Sequence, residues 1–185
     1  MWALGYLLVA VGLAVCLYFG LRRPVRAFLK FRGAMVVTCP ETAQPAGVKV
    51  DARRAAMSGG REVPGFSLTS CSRWPERQDC GRECLRQIEA APEDCLVRSI
   101  LDRWYQGKDC VFCGRPLGEI NWEQRKPALL TADGRSVEWG QVLPENLPTV
   151  LAASRPVCWT CHVTETFRRQ HPELVVDRNF RRAGR

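Results

Sequence analysis

Ten cysteines in a chain of 185 residues pose the chemical question. Four of them form two Cys-x-x-Cys pairs, Cys110/Cys113 and Cys158/Cys161. Two residues between thiols let one tight turn aim both sulfurs at the same ion. Two such turns close a tetrahedral four-thiolate site with metal–sulfur distances of about 2.3 Å. The second pair also spells C-x-x-C-H in Cys158-Trp159-Thr160-Cys161-His162, the attachment pattern of a c-type haem, with Cys158 and Cys161 on the vinyl groups and His162 as axial ligand. That alternative leaves Cys110 and Cys113 without a role. It also does not choose a distal ligand among His171, Met35 and Met57. The paired reading makes His162 a surface or second-shell residue near a helix start, and His171, just before Pro172, a helix-end residue.

A second group, Cys39, Cys71, Cys80 and Cys84, is less stereotyped. If Cys80 and Cys84 sit at i and i+4 of one helix, both thiols share a face, and Cys39 and Cys71 can complete a second site from neighbouring strand ends. Zinc or an iron–sulfur cluster would suit four cysteines. Cys95 is left over as a candidate reactive thiol, or replaces one of the four, and Cys16 reads as a packing residue. No Ser/His/Asp set, HExxH or P-loop is present, which argues against an enzyme and gives no small-molecule substrate.

The pair Cys110-Val-Phe-Cys113 followed by Gly114-Arg-Pro, an Asp133-Gly134 hairpin, and a second pair at a helix start resembles a treble-clef or zinc-ribbon-like four-cysteine module over about residues 108–174. The resemblance implies one structural zinc. The spacer is longer than the compact pattern, so residues 141–155 are read as an insertion.

The elements that must hold these thiols follow from pattern. MVVT before Cys39 and VKVD after a turn-rich stretch alternate as a β-hairpin. ARRAAM reads as a short helix, SGGREVPG as a loop, and FSLTS as a third strand ending at Cys71. Asp79 is expected to cap a helix from Cys80 to Ala90, and Pro92 to begin another that runs unbroken to a stop at Gly107. Ala128–Thr131 and Ser136–Trp139 flank a DG pair suited to a type I′ turn.

Residues 1–21 contain no charged side chain, and 21 residues of helix span roughly 31 Å, about the thickness of a hydrocarbon core. Arg22, Arg23, Arg26, Lys30 and Arg32 follow. The expectation is a transmembrane helix over 1–21 and a basic juxtamembrane segment over 22–33. The N-terminus would lie outside and the soluble part would be cytoplasmic by the positive-inside bias. A reducing compartment disfavours disulfides and favours metal. The fold class expected is α+β: that helix, a cysteine-rich α+β module over 34–107, a treble-clef-like zinc module over 108–176, and a basic tail over 177–185. The net charge of +8 sits largely at the flank and tail, so nucleic acid is not the expected partner. The function expected is a membrane-anchored, zinc-binding, non-catalytic docking or assembly subunit that meets the lipid bilayer and a protein partner. The alternative is an electron-transfer or redox-sensing subunit carrying an iron–sulfur cluster or haem c.

Overall fold

The computed structural model describes residues 2–57, 67–74, 76–77 and 79–175. The expected SGGREVPG loop and the basic tail fall outside the described residues. Two compact units emerge. One comprises the chain to Leu101 with Leu143–Leu147, and the other comprises Asp102–Val142 with residues from Pro148 onward.

The first unit opens with α1 (Trp2–Phe31), a helix of 30 residues. It does not stop at Leu21 but continues through Arg22, Arg26 and Lys30, with Pro24 inside it. Among the described residues, no helix is long and apolar enough to cross a membrane. The transmembrane part of the expected fold class is therefore overturned. The single-pass placement with an outer N-terminus and a cytoplasmic domain falls with it.

The hairpin forms as read. β1 (Ala34–Thr38) pairs antiparallel with β2 (Pro45–Val50), and β2 with β3 (Leu68–Cys71), in the order β1-β2-β3. Alternation buries Met35 and Val37 on one face of β1, as a half-covered antiparallel strand requires. These pack with Val48, Leu68, Ile88 and Cys95 into one apolar cluster. α2 (Ala52–Met57) starts where Asp51 accepts the Arg54 N–H at 3.0 Å. The end of β1 is held by a side chain that imitates a strand. Gln87 Oε1 accepts from the Thr38 N–H at 3.0 Å, and Gln87 Nε2 donates to the Thr38 carbonyl at 2.6 Å.

Two helical expectations are corrected. The helix expected from Cys80 begins only at α3 (Leu85–Ala90), with Cys84 rather than Asp79 at its N-cap. Arg82 adopts φ +55°, in the left-handed region that a right-handed helix cannot contain, so Cys80 and Cys84 do not share a helix face. The helix begun by Pro92 is also broken. α4 (Pro92–Cys95) and α5 (Val97–Tyr105) are separated by Leu96, which is extended (ψ 121°) and bridges to Met35 of β1. Tertiary pairing here overrides a continuous helical pattern.

The second unit is built on β4 (Ala128–Leu130), β5 (Ser136–Glu138) and β6 (Arg155–Val157), all antiparallel, with β4 central. The turn between β4 and β5 differs from the expected type I′. Thr131 N–H bonds the Arg135 carbonyl at 2.9 Å, Gly134 N–H bonds the Thr131 carbonyl at 3.0 Å, and only Gly134 has positive φ (+78°). That is a three-residue loop closed by a left-handed glycine. The insertion at 141–155 holds a short 3-10 turn, Pro144–Asn146, and α6 (Leu147–Ala153). Strand β6 was not foreseen. α7 (Trp159–Gln170) follows and ends at His171, as expected.

Candidate metal centre

The first pair sits on a small hairpin of its own. Asp109 bridges Pro116, Cys110 N–H bonds the Arg115 carbonyl at 2.9 Å, and Leu117 N–H bonds the Lys108 carbonyl at 3.1 Å. The turn closes when Gly114 N–H reaches the Cys110 carbonyl at 2.8 Å. Gly114 stands at φ +66°, where a Cβ would be strained. This explains a glycine directly after the second thiol.

The second pair is positioned by the start of α7. Cys158 is its N-cap, in extended conformation, and His162 N–H makes the first helical bond to the Cys158 carbonyl at 3.0 Å. Cys161 follows within the first turn. The two halves are stitched by backbone: Val111 N–H donates to the Pro156 carbonyl at 3.0 Å, and Cys158 N–H donates to Cys110 Sγ at 3.3 Å.

The result brings together all four thiols of the expected quartet. The sulfurs of Cys110, Cys113, Cys158 and Cys161 lie within 4.8 Å of one another. Cys113 and Cys158 are 3.8 Å apart, and a regular tetrahedron with metal–sulfur bonds of about 2.3 Å has an edge of about 3.8 Å. The donor set and the spacing both fit one tetrahedral ion. Cys110 is buried, packed with Ala128, Leu130 and Val157, and Cys158 and Cys161 lie against the same cluster.

The local field differs from thiol to thiol. Burial pushes Cys110 up, but the N–H groups of Cys158, Cys113 and Phe112 outweigh it and bring its pKa below the usual thiol value. The Arg115 backbone N–H, then the Arg115 side chain, hold exposed Cys113 down at about 6. Burial raises Cys158 and Cys161, and for Cys161 the neighbouring thiols add to it. A bound cation would compensate both effects, because metal ligation requires the deprotonated thiolate.

No protein-family model matches this chain, and neither a curated protein nor a solved structure matches it. The arrangement itself is that of a zinc-ribbon-like four-cysteine module: a glycine-closed knuckle, a hairpin, and a second cysteine pair at a helix start.

His162 is not at the surface. It is buried, with Nδ1 3.0 Å from Ser136 Oγ and Nε2 3.9 Å from Glu138 Oε1. Burial lowers its pKa and favours the neutral ring, which ties the start of α7 to Ser136 of β5. In this position its Nδ1 is engaged by Ser136, and its thiol neighbours converge with Cys110 and Cys113. The haem alternative therefore gains nothing from the geometry. The Ser136-His162-Glu138 set resembles a nucleophilic triad by type, yet Ser136 is itself buried and offers no hydroxyl to a substrate. Sequence reasoning missed this trio. The β-period that puts Ser136 and Glu138 on the same face of one strand was its available signal.

The other expected group is brought together more loosely. Cys39, Cys71, Cys80 and Cys84 all line one cavity of about 240 Å³. Among the described residues, only the quartet of the second unit reaches the spacing of a single ion. Cys39, Cys71, Cys80 and Cys84 thus share one cavity without the single-ion spacing of the second unit's quartet. The helix that was to align Cys80 with Cys84 is interrupted at Arg82. Cys95 is buried, and burial raises its pKa, which is the opposite of an activated thiol.

Proposed function

We propose that the second unit is a structural zinc module and that this protein acts as a non-catalytic docking or assembly component. The observation that carries the metal assignment is the sulfur tetrahedron, with its 3.8 Å edge between Cys113 and Cys158. Four thiolates close the coordination sphere, so no position remains for substrate or activated water. Such a site supplies folding free energy rather than chemistry.

The docking role is supported by apolar side chains of the second unit that the fold leaves uncovered. Val111 and Phe112 project from the knuckle, and Val163 and Phe167 from α7, all exposed. Aromatic side chains of this kind anchor protein interfaces. Elemental analysis and X-ray absorption test the metal: one zinc in an all-sulfur shell is expected, and oxygen or nitrogen ligands would refute the assignment. Replacing Phe112 and Phe167 by Ser tests docking. Zinc content should stay constant while co-purifying protein is lost, and an unchanged set of co-purifying proteins would refute docking.

A further inference from the structure

The first unit holds a second convergence of thiols with a different geometry. Cys39 directly follows β1 and opens its turn, Cys71 ends β3, Cys80 lies in the irregular segment before Arg82, and Cys84 caps α3. All four line one cavity of about 240 Å³, and Cys84 lies within electrostatic reach of the other three. A single tetrahedral ion needs no such space, since its four sulfurs nearly touch across about 3.8 Å. That spacing is found in the second unit and not here.

A polynuclear cluster has the opposite requirement. In a four-iron cluster each thiolate binds a different iron, and inorganic sulfide lies between the irons, so the cysteines stand apart around a volume. The rim carries charges of both signs. Arg73, Arg77 and Arg82 line the same cavity, against Glu41 and Glu83. Arg77 reaches Glu41 at 3.5 Å, and Arg73 reaches Glu76 at 3.3 Å. Four thiolates around a cluster make an anionic site, and three guanidinium groups stand at its rim, two of them paired with glutamates.

We propose that Cys39, Cys71, Cys80 and Cys84 ligate an iron–sulfur cluster in this cavity, a site separate from the four-thiolate ion of the second unit. This goes beyond the zinc reading and does not depend on it.

The full chain, produced and purified without oxygen, provides the test through iron, acid-labile sulfide and zinc per chain together with the visible spectrum. The expected result is a coloured protein carrying iron and sulfide in equal amounts alongside zinc. Cys80→Ser and Cys39→Ser should each remove the iron, the sulfide and the visible band while zinc is retained. Cys113→Ser should lose zinc and keep the iron and the band. Circular dichroism on each variant confirms that the secondary structure survives. Should Cys80→Ser alone disrupt the fold, the unmodified chain still decides the matter. A colourless chain with a second zinc overturns the proposal, as does one with no metal beyond the first. Loss of zinc alone would instead strike the reading of the second unit.

Discussion

Replacing Cys113 by Ser removes one corner of the tetrahedron while disturbing little else, because Cys113 is the exposed member of the quartet. The expected magnitude follows from what holds the second unit together. The apolar cluster behind the thiols contains two large side chains, Leu130 and Val157, together with Ala128 of β4. Full burial of each large side chain contributes about 1.5–3 kcal/mol. A structural zinc site contributes about 10–16 kcal/mol at neutral pH, so the metal outweighs that cluster roughly twofold or more. Shared evenly, each thiolate accounts for about 2.5–4 kcal/mol of that range, so Cys113→Ser should weaken zinc binding by roughly 100- to 1000-fold. Competition against a chelating dye measures this directly. Amide exchange at β4 reads the structural consequence: saturating chelator should abolish protection at Leu129 and Leu130. Retained β4 protection in the metal-free chain would refute the argument that metal holds this sheet. So would a zinc affinity within about tenfold of the unmodified chain.

Other substitutions test the packing on either side. Gly47→Ala places a Cβ 2.6 Å from Glu145 Oε2 and 2.9 Å from Pro144 Cβ, so denaturant unfolding should show a loss of about 1–3 kcal/mol from overpacking. Ile88→Ala opens a cavity where no surface is exposed, with an expected loss of about 2–5 kcal/mol by the same measurement. Tyr105 Oη donates to the Ala128 carbonyl at 2.8 Å in a buried setting, so Tyr105→Phe should cost about 1–3 kcal/mol and lower the melting temperature. Ala43 sits at φ +54° in the turn closed by Cys39 and Gln44, so Ala43→Gly should raise stability by about 1 kcal/mol rather than lower it.

The legible parts of this fold are those set by local chemistry. The two cysteine pairs announce their own turns, and the alternation around Cys39 announces β1 and β2. FSLTS gives β3, and His171 before Pro172 marks the end of α7. What escaped was decided by partners distant in sequence or by single backbone angles. Leu96 satisfies a helical pattern perfectly well and is nevertheless extended, because Met35 takes it as a strand neighbour. Arg82 carries no mark of its left-handed conformation, yet it separates Cys80 from Cys84 and widens the thiol group of the first unit. β6 is three residues long with Pro156 at its centre, too short and too proline-marked to read as a strand. His162 turns inward because Ser136, 26 positions earlier, awaits its ring. The N-terminal run, uncharged to Leu21, reads as a membrane span, while the helix that contains it carries on into its arginines.

The wide separation of the two cysteine pairs has a consequence during synthesis. Cys113 and Cys158 stand 45 positions apart. At about 5–20 residues per second, a ribosome takes roughly 2–9 s to deliver the second pair after the first. Throughout that interval Cys110 and Cys113 have emerged without their partners, and strand β4 lacks its neighbour β6. An ion captured early by the first knuckle has only two sulfurs to hold it. The cell's supply of metal and of reductant during those seconds, rather than the affinity of the finished site, then sets the yield of correctly loaded chains.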